Sequence, residues 1–202
     1  MSKTQKQLQG EHTRQRIIEA AAKLFVRKGF YGTSIADLAQ ATGLTKGALY
    51  HHFENKDALF FAVVGAVRET WREAVARDVL NAGDALTRLA VLLDNHARLI
   101  SENETLCLVL SGLTMEMDGI NPTFMAILQE IHTDLILFIE RIIQKGQAAG
   151  QVRPDLDARL TALNIVGMLG GIGCCPILKH ISGDYAAMIM TLKQMLLDGL
   201  RP

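Results

Sequence analysis

Apolar side chains recur at three- and four-residue steps along almost the whole chain, the spacing of one face of an α-helix. Between His12 and Lys28, Ile17, Ile18, Ala21, Leu24 and Phe25 share a stripe, Arg14, Arg16, Lys23 and Arg27 fall elsewhere, and Gly29 is placed to stop the helix. Thr33 or Ser34 can cap a short helix through Ala41, with Asp37 in its first turn and Gly43 at its end. Thr45 can cap Lys46–Phe53. Asn55 can cap a long helix in which Phe60, Val64, Val67, Trp71 and Val75 repeat toward Leu80 without a Pro or a Gly-rich linker. Asp84 opens a helix with Leu86, Leu89, Leu93, Ala97 and Ile100 on one face, and Glu104–Met117 follows. Asn121-Pro122 is a strong start, cap then first helical position, for a face running from Phe124 through Ile131 and Phe138 to Ile142. Gly150–Pro154 reads as a turn, Asp155 opens another helix, and Ser182 or Asp184 opens Tyr185–Leu200. No stretch alternates as a strand does and no fixed-period repeat is present, so the pattern predicts an all-α chain.

Length and charge sharpen this picture. A chain of 202 residues makes one large domain or two small ones. The 21 basic and 21 acidic side chains cancel overall, but residues 1–60 carry nine basic against five acidic groups. A basic N-terminal third points to a polyanion at that end, although a bias of four charges also arises by chance. The first eleven residues are polar, with no apolar signal core, and the three cysteines are Cys107, Cys174 and Cys175. Together these point to a reducing cytoplasm rather than a disulfide scaffold. Leu160–Leu178 is uncharged over nineteen residues, but Thr161, Asn164, four glycines and Pro176 favour a buried helix over a membrane span. No membrane partner is expected.

The most specific signal lies between Thr33 and Phe53. Two short helices meet at Gly43, with Ala39 one turn before it and Leu44 after it. Helices crossing steeply over so short a turn need a small residue at the contact and one tolerant of positive φ in the turn. Ile35, Leu38, Leu44, Leu49 and Phe53 supply a small core that fixes the angle. That leaves Thr45, Lys46, Gly47, Tyr50 and His51 on the outer face of the second helix. An electropositive N-terminus, a residue without a side chain, and two hydrogen-bond donors are the chemistry of a helix that enters the major groove.

The run Tyr31-Gly-Thr-Ser-Ile-Ala-Asp-Leu-Ala-Gln-Ala-Thr-Gly-Leu-Thr-Lys-Gly-Ala-Leu-Tyr-His-His-Phe-Glu-Asn-Lys-Asp-Ala-Leu59 closely resembles the DNA-binding signature of TetR/AcrR-type transcriptional regulators. The preceding Leu24-Phe25 and Gly29-Phe30 match as well, so the resemblance covers residues 12–60. It implies a helix-turn-helix domain over residues 1–56, with 1–11 as a flexible arm, and an effector-binding and dimerisation domain over 57–202. It further implies a homodimer on a palindromic double-stranded DNA operator, acting as a repressor and released by a small molecule. By position, Thr33, Ser34 and Thr45 match phosphate-contacting caps, and Lys46 and Gly47 match base contacts. Tyr50 and His51 match phosphate or base-edge contacts, and Lys56 a phosphate-contacting lysine. His52 lies near the same surface or packs against the helix core, and Arg14 and Arg16 are either DNA-backbone contacts or solvated. The alternative is a protein of the same fold without a small-molecule effector, controlled by a protein partner.

The C-terminal helices carry material for an apolar cavity. Trp71, Leu106, Met115, Phe124, Met125 and Met168 are soft or aromatic groups on several helices, and such side chains suit an adaptable pocket or an ordinary core. His96, Arg98, His132 and Asn164 are polar residues on those apolar helices and could orient a ligand or satisfy a core hydrogen bond. The expected effector is largely apolar and uncharged or weakly acidic. Gly167 and Gly171, four apart, allow close approach of a second copy, with Met188, Leu192, Met195 and Leu196 of the last helix completing a four-helix interface; packing within the chain is the competing use. No phosphate loop, HExxH or GxSxG is present, so neither enzymatic activity nor a cofactor or metal is expected. Cys174, Cys175 and His180 fall short of a zinc cage, which leaves buried free thiols ahead of a redox sensor.

Overall fold

The structure is a computed structural model that describes residues 3–174, 181 and 184–202. Cys175, Pro176, His180 and Ser182, and the side chains of Leu106, Cys107 and Cys174, lie outside the described residues. The elements in order are α1 (Lys3–Lys28), α2 (Ile35–Thr42), α3 (Lys46–His52), α4 (Lys56–Trp71), a π-helical turn (Arg72–Ala76) and α5 (Arg77–Asn81). Then come α6 (Ala85–Glu102), α7 (Glu104–Met117), α8 (Pro122–Ala148), α9 (Ala158–Cys174) and α10 (Tyr185–Leu200), with no strand among the described residues.

The helix starts follow the expected chemistry. Ser34, Thr45, Asn55, Asp84, Asn121 and Asp184 each accept a hydrogen bond from a backbone N–H in the first turn of the helix that follows. Gly43 closes α2 at φ 68°, a left-handed conformation that costs glycine nothing, and Leu44 N–H returns to Ala39 O at 3.2 Å.

Three features differ from the sequence reading, and one choice it left open is decided. α1 starts at Lys3 rather than His12, so the expected flexible arm is helix from residue 3. Its Gln, Lys and Glu residues are adequate helix formers, and with no apolar stripe to bury they give no periodic signal. Ser34, not Thr33, is the cap of α2. α9 opens at Ala158, with Asp157 Oδ1 accepting from Leu160 N–H at 2.7 Å, because Asp155 is drawn into an ion pair with Arg153. Finally, the long helix after Asn55 is continuous to Asn81 but not uniform. Over Arg72–Ala76 it widens, and Arg77 N–H reaches back five residues to Arg72 O.

Two apolar cores result. The first joins α1, α2 and α3 to α4, and also takes Val109, Leu113 and Met117 of α7 and Phe124 and Leu128 of α8. Its centre is aromatic. Phe60 and Phe124 stack with centroids 4.0 Å apart, and Phe30 meets both edge-on. The helix-turn-helix is therefore not self-contained at residue 56, because α4, α7 and α8 close its core. The second core lies between α5, α6, the C-terminal half of α8, α9 and α10. α8 is long and apolar enough to cross a membrane by length and composition. Here its Phe124 and Leu128 are buried in one core and its Ile139 and Ile143 in the other.

Candidate nucleic-acid interface and effector cavity

α3 is held by its inner side. Leu49 and Phe53 are buried, Leu38 of α2 lies beneath them, and Ile35, Ala39 and Leu44 pack against the same core. The outer side is then fixed by the 3.6-residue repeat: Thr45, Lys46, Gly47, Tyr50 and His51 are all exposed, Tyr50 with 52 % of its surface free. Ser34 is exposed at the start of α2, where a reciprocal pair with Asp37 fixes it. The hydrogen bonds of Lys28, then those of Ser34, hold the Asp37 carboxyl far below the usual carboxylate range, so it is ionised throughout the physiological range. The basic residues nearby largely serve the scaffold. Arg16 donates to Thr42 O at 3.0 Å, and the Arg14 guanidinium lies 4.9 Å from the centre of the Phe53 ring.

Two residues expected at phosphates are bonded within the chain, and one of them, Thr33, is buried. Thr33 is 1 % exposed and its hydroxyl donates to Gly29 O at 2.7 Å, so it presents no face to a phosphate. Lys56 donates through Nζ to Phe30 O at 2.9 Å and Thr33 O at 3.1 Å, and its ammonium sits 4.4 Å from the Phe30 ring centre. It staples the turn between α1 and α2.

That turn has a second clasp, which the sequence reading missed. Glu116 of α7 accepts from the backbone N–H groups of Phe30 at 2.6 Å and Tyr31 at 2.8 Å. The approach is close enough that a Cβ on Gly29, whose φ is +75°, would stand 2.7 Å from a Glu116 carboxylate oxygen. A charged acceptor on two otherwise unpaired N–H groups is a strong bond.

The same α7 forms one wall of a cavity of 570 Å³ that lies between α4, α6, α7, α8 and α9 and is partly open to solvent. Trp71, Leu99, Leu110, Leu135 and Phe138 give it apolar walls. Of the expected effector contacts, Trp71, His96, Met115 and His132 line it. Phe124 and Met125 do not, because α8 turns that end into the first core. Asn164 and Met168 stand on the exposed side of α9, while Val166, Leu169 and Gly170 face the cavity. Gly167 and Gly171 are exposed and also border the cavity. Met188, Leu192 and Leu196 pack against the second core, because α10 turns that stripe toward α6, whereas Met195 is 69 % exposed.

The polar groups of the cavity are mostly satisfied locally. Thr70 and Thr114 donate to Ala66 O and Leu110 O, and His132 Nδ1 lies 2.8 Å from Leu128 O. Arg98 is turned away from the cavity, against Asn95 Oδ1 at 3.2 Å. His96 differs: its Nδ1 is closed off from solvent and has no hydrogen-bond partner among the described residues. Burial pushes its imidazole down to about 4, so it is neutral at pH 7. At the rim, Arg68 pairs with Asp134 and Glu130, and Arg72 makes a two-pronged contact with Glu69. Arg68, Arg72, Ser111 and Thr114 also went unread. Their spacing from Trp71 and Met115 was the available signal, since each lies three or four residues, or one, from a correctly placed wall residue.

The chain matches the family model described as "Bacterial regulatory proteins, tetR family" over residues 17–63, and "Tetracyclin repressor-like, C-terminal domain" over residues 85–180. It is 26 % identical over 195 residues to the probable HTH-type transcriptional regulator ArpR of Pseudomonas putida, covering 93 % of both chains. Among solved structures it is similar to AibR in complex with isovaleryl coenzyme A and operator DNA, with TM-score 0.70 and 25 % identity over 80 % of this chain and 85 % of that one. It also shares the fold of FadR from Bacillus subtilis in complex with stearoyl-CoA, with TM-score 0.77 and 20 % identity over 93 % and 99 % of the two chains. With an outward-facing α3 at the N-terminus, a cavity in the helical remainder and both parts matched, the chain belongs to the TetR family of DNA-binding transcriptional regulators and is not an enzyme.

Proposed function

We propose that the protein is a cytoplasmic homodimeric repressor that reads a palindromic operator with α3 of each copy and releases it when a small effector fills the cavity. The observation that carries this reading is the double attachment of the reading unit to the cavity walls. Val67, Arg68, Trp71 and Arg72 line the cavity from the helix that begins beside α3. Ser111, Thr114 and Met115 line it from α7, whose next residue, Glu116, clasps the turn before α2. A change in wall spacing is thus transmitted at two points. The 26 helical residues from Lys56 to Asn81 span about 39 Å at 1.5 Å per residue, so a small rotation at the cavity displaces α3.

In the dimer two copies of α3 must stand about 34–36 Å apart, or a multiple of this, to enter major grooves on one side of DNA. An effector that favours another separation lowers operator affinity by its preference for that state. For the dimer face we favour the outer side of α9, with Leu160, Leu163, Gly167, Met168 and Gly171, beside Met190 and Met195 of α10. Leu160 is 60 % exposed and Met195 69 % in the single chain, and all seven are exposed. The cavity weighs against control by a protein partner alone.

Selection of bound sequences from a random DNA pool tests the reading. The expected result is a palindrome with half-sites one helical turn or a multiple apart, bound by a dimer in light scattering. A non-palindromic site, or a Gly167→Leu variant that remains fully dimeric, would contradict the reading or the assigned face respectively.

A further inference from the structure

A second concave surface of the N-terminal unit, apart from the outer face of α3, is lined by cations. It is a groove between the outer side of α1 and the last turn of α2, where Ala20, Ala41 and Thr42 offer only short side chains. Arg16, Lys23 and Arg27 border it, and Glu19 is the one carboxylate in its lining. All four are exposed. Its 310 Å³ is about ten times the share of one liquid water, room for a phosphodiester group with its hydration.

The other basic side chains described in residues 1–60 show what sets these apart. Lys28 is paired with Asp37, Lys56 is bonded to Phe30 O and Thr33 O, and Arg14 lies on the Phe53 ring. Lys23, Arg27 and Lys46 have no such partner among the described residues. Lys46 is on the outer face of α3, and the other two stand at this groove. Glu19 lies four residues before Lys23, yet its carboxylate accepts from Gln15 at 3.2 Å and forms no ion pair with the lysine. Arg27, in the last turn of α1, also favours the helix dipole, but Lys23, a turn earlier, has no such use.

The position of the groove supplies the anion. α1 and α2 run antiparallel: Lys28 meets Asp37 in the first turn of α2, and Arg16 meets Thr42 O in its last. Thr42 is three residues before Thr45, the cap of α3. In a helix-turn-helix the first helix crosses the DNA backbone while the second lies in the major groove, so this groove flanks the helix that lies over the phosphates. We infer that the groove is a second DNA contact, in which Lys23 and Arg27, with the remaining N–H groups of Arg16, hold phosphates of the operator backbone beside the bases that α3 reads. This rests on α3 being the recognition helix. The contact adds affinity and fixes orientation without reading sequence, because phosphates are alike at every base pair.

The test uses the full-length protein, an operator recovered by selection, and fluorescence anisotropy across a salt series. Lys23→Gln/Arg27→Gln should lower the slope of log affinity against log salt by about 1.8 for each bound copy, two phosphates at about 0.9 each. Its affinity deficit should therefore shrink about tenfold per copy from about 50 to 200 mM salt. The selected bases should be those of the natural protein. Lys23→Arg/Arg27→Lys, which keeps both charges, should keep the natural slope. So should Arg141→Gln/Lys145→Gln, which removes two exposed charges from α8. A natural slope in the first variant, an equal loss in the α8 variant, or a changed base preference overturns the inference. If that natural slope came with lost operator control in cells, the groove would belong to an acidic protein partner instead. Should the double variant fail to fold, Lys23→Gln alone decides, at about half the change. The reading of α3 is judged separately through Lys46→Ala. Weakened binding there beside a natural slope in the groove variant leaves α3 standing and removes the groove; the reverse pattern keeps the groove as a DNA contact and removes α3.

Discussion

Around the first core, the polar groups that matter all have partners. Ser34, Thr45 and Asn55 cap α2, α3 and α4, Lys56 and Glu116 clamp the turn before α2, and phenylalanine rings close the centre. Around the cavity the same chain behaves differently. His96 keeps an unpaired nitrogen, the long helix leaves its α-register at Arg72–Ala76 beside Trp71, and Met115 is 73 % exposed at the wall. A unit that must present Lys46 and Tyr50 in one fixed geometry is over-determined. A unit that must admit a ligand keeps unfilled volume and an unmet hydrogen bond. On the proposed reading, rigidity falls where DNA would be read and slack where occupancy would be sensed, with α4 and α7 running through both.

The sharpest way to break this contrast is to remove the same side chain from each region. Phe60→Ala, in the closed first core, should cost about 3–5 kcal/mol in urea unfolding. Phe138→Ala, half-buried beside space that already exists, should cost less than half of that. Equal losses would mean that the cavity wall is packed as tightly as the reading unit.

A smaller effect is expected from the clasp. Glu116→Ala leaves the N–H groups of Phe30 and Tyr31 without their charged acceptor, at about 1.5–3 kcal/mol. It should also weaken effector-induced operator release while leaving Trp71-detected ligand binding intact. Wild-type release in this variant would leave α4 as the sole route between the regions.

The pH dependence of stability isolates His96. Its imidazole ionises near 6.5 when unfolded and about 4 when folded, so the unfolded chain takes up a proton that the folded one refuses. Its contribution is therefore complete above pH 6.5 and declines by up to about 1.4 kcal/mol per pH unit as the pH falls toward 4. Urea titrations at pH 7.5 and 5.5 should show this loss in the natural protein and a shallower one in His96→Leu. Identical pH slopes would remove His96 as an acid-sensitive site. Smallest of all, Met115→Ala should alter stability by no more than about 0.5 kcal/mol.

The two regions also differ in how far they could be read in advance. Ser34, Thr45, Asn55, Asp84 and Asn121 announce their helices because a cap is a local bond, formed within three residues of itself. The exposed face of α3 follows from Leu49 and Phe53 being inside, again within one helix. The internal partners of Lys56 and Thr33 were not legible because they lie across a turn, at Phe30 and Gly29, and a sequence shows a lysine or a threonine equally well as a solvated group or a staple. The cavity was legible only in part. Trp71, His96, Met115 and His132 converge there, but Phe124 sits at the other end of α8, in the aromatic stack. Which end of a 27-residue amphipathic helix meets which neighbour is set by tertiary packing, not by periodicity. The π-helical turn has no signature in Arg72–Ala76 that we can identify.

Operator binding by Lys46→Ala tests most directly whether α3 is the reading edge. With an operator recovered by selection, fluorescence anisotropy across a salt series should show binding weaker than that of the natural protein by about tenfold or more. The variant should also tolerate altered bases at the position Lys46 reads, or show a salt slope smaller by about one for each phosphate it no longer neutralises. The fold and dimer should be unchanged by circular dichroism and light scattering. Unaltered affinity, specificity and salt slope in that variant, and in Tyr50→Ala beside it, would place DNA recognition elsewhere on the molecule.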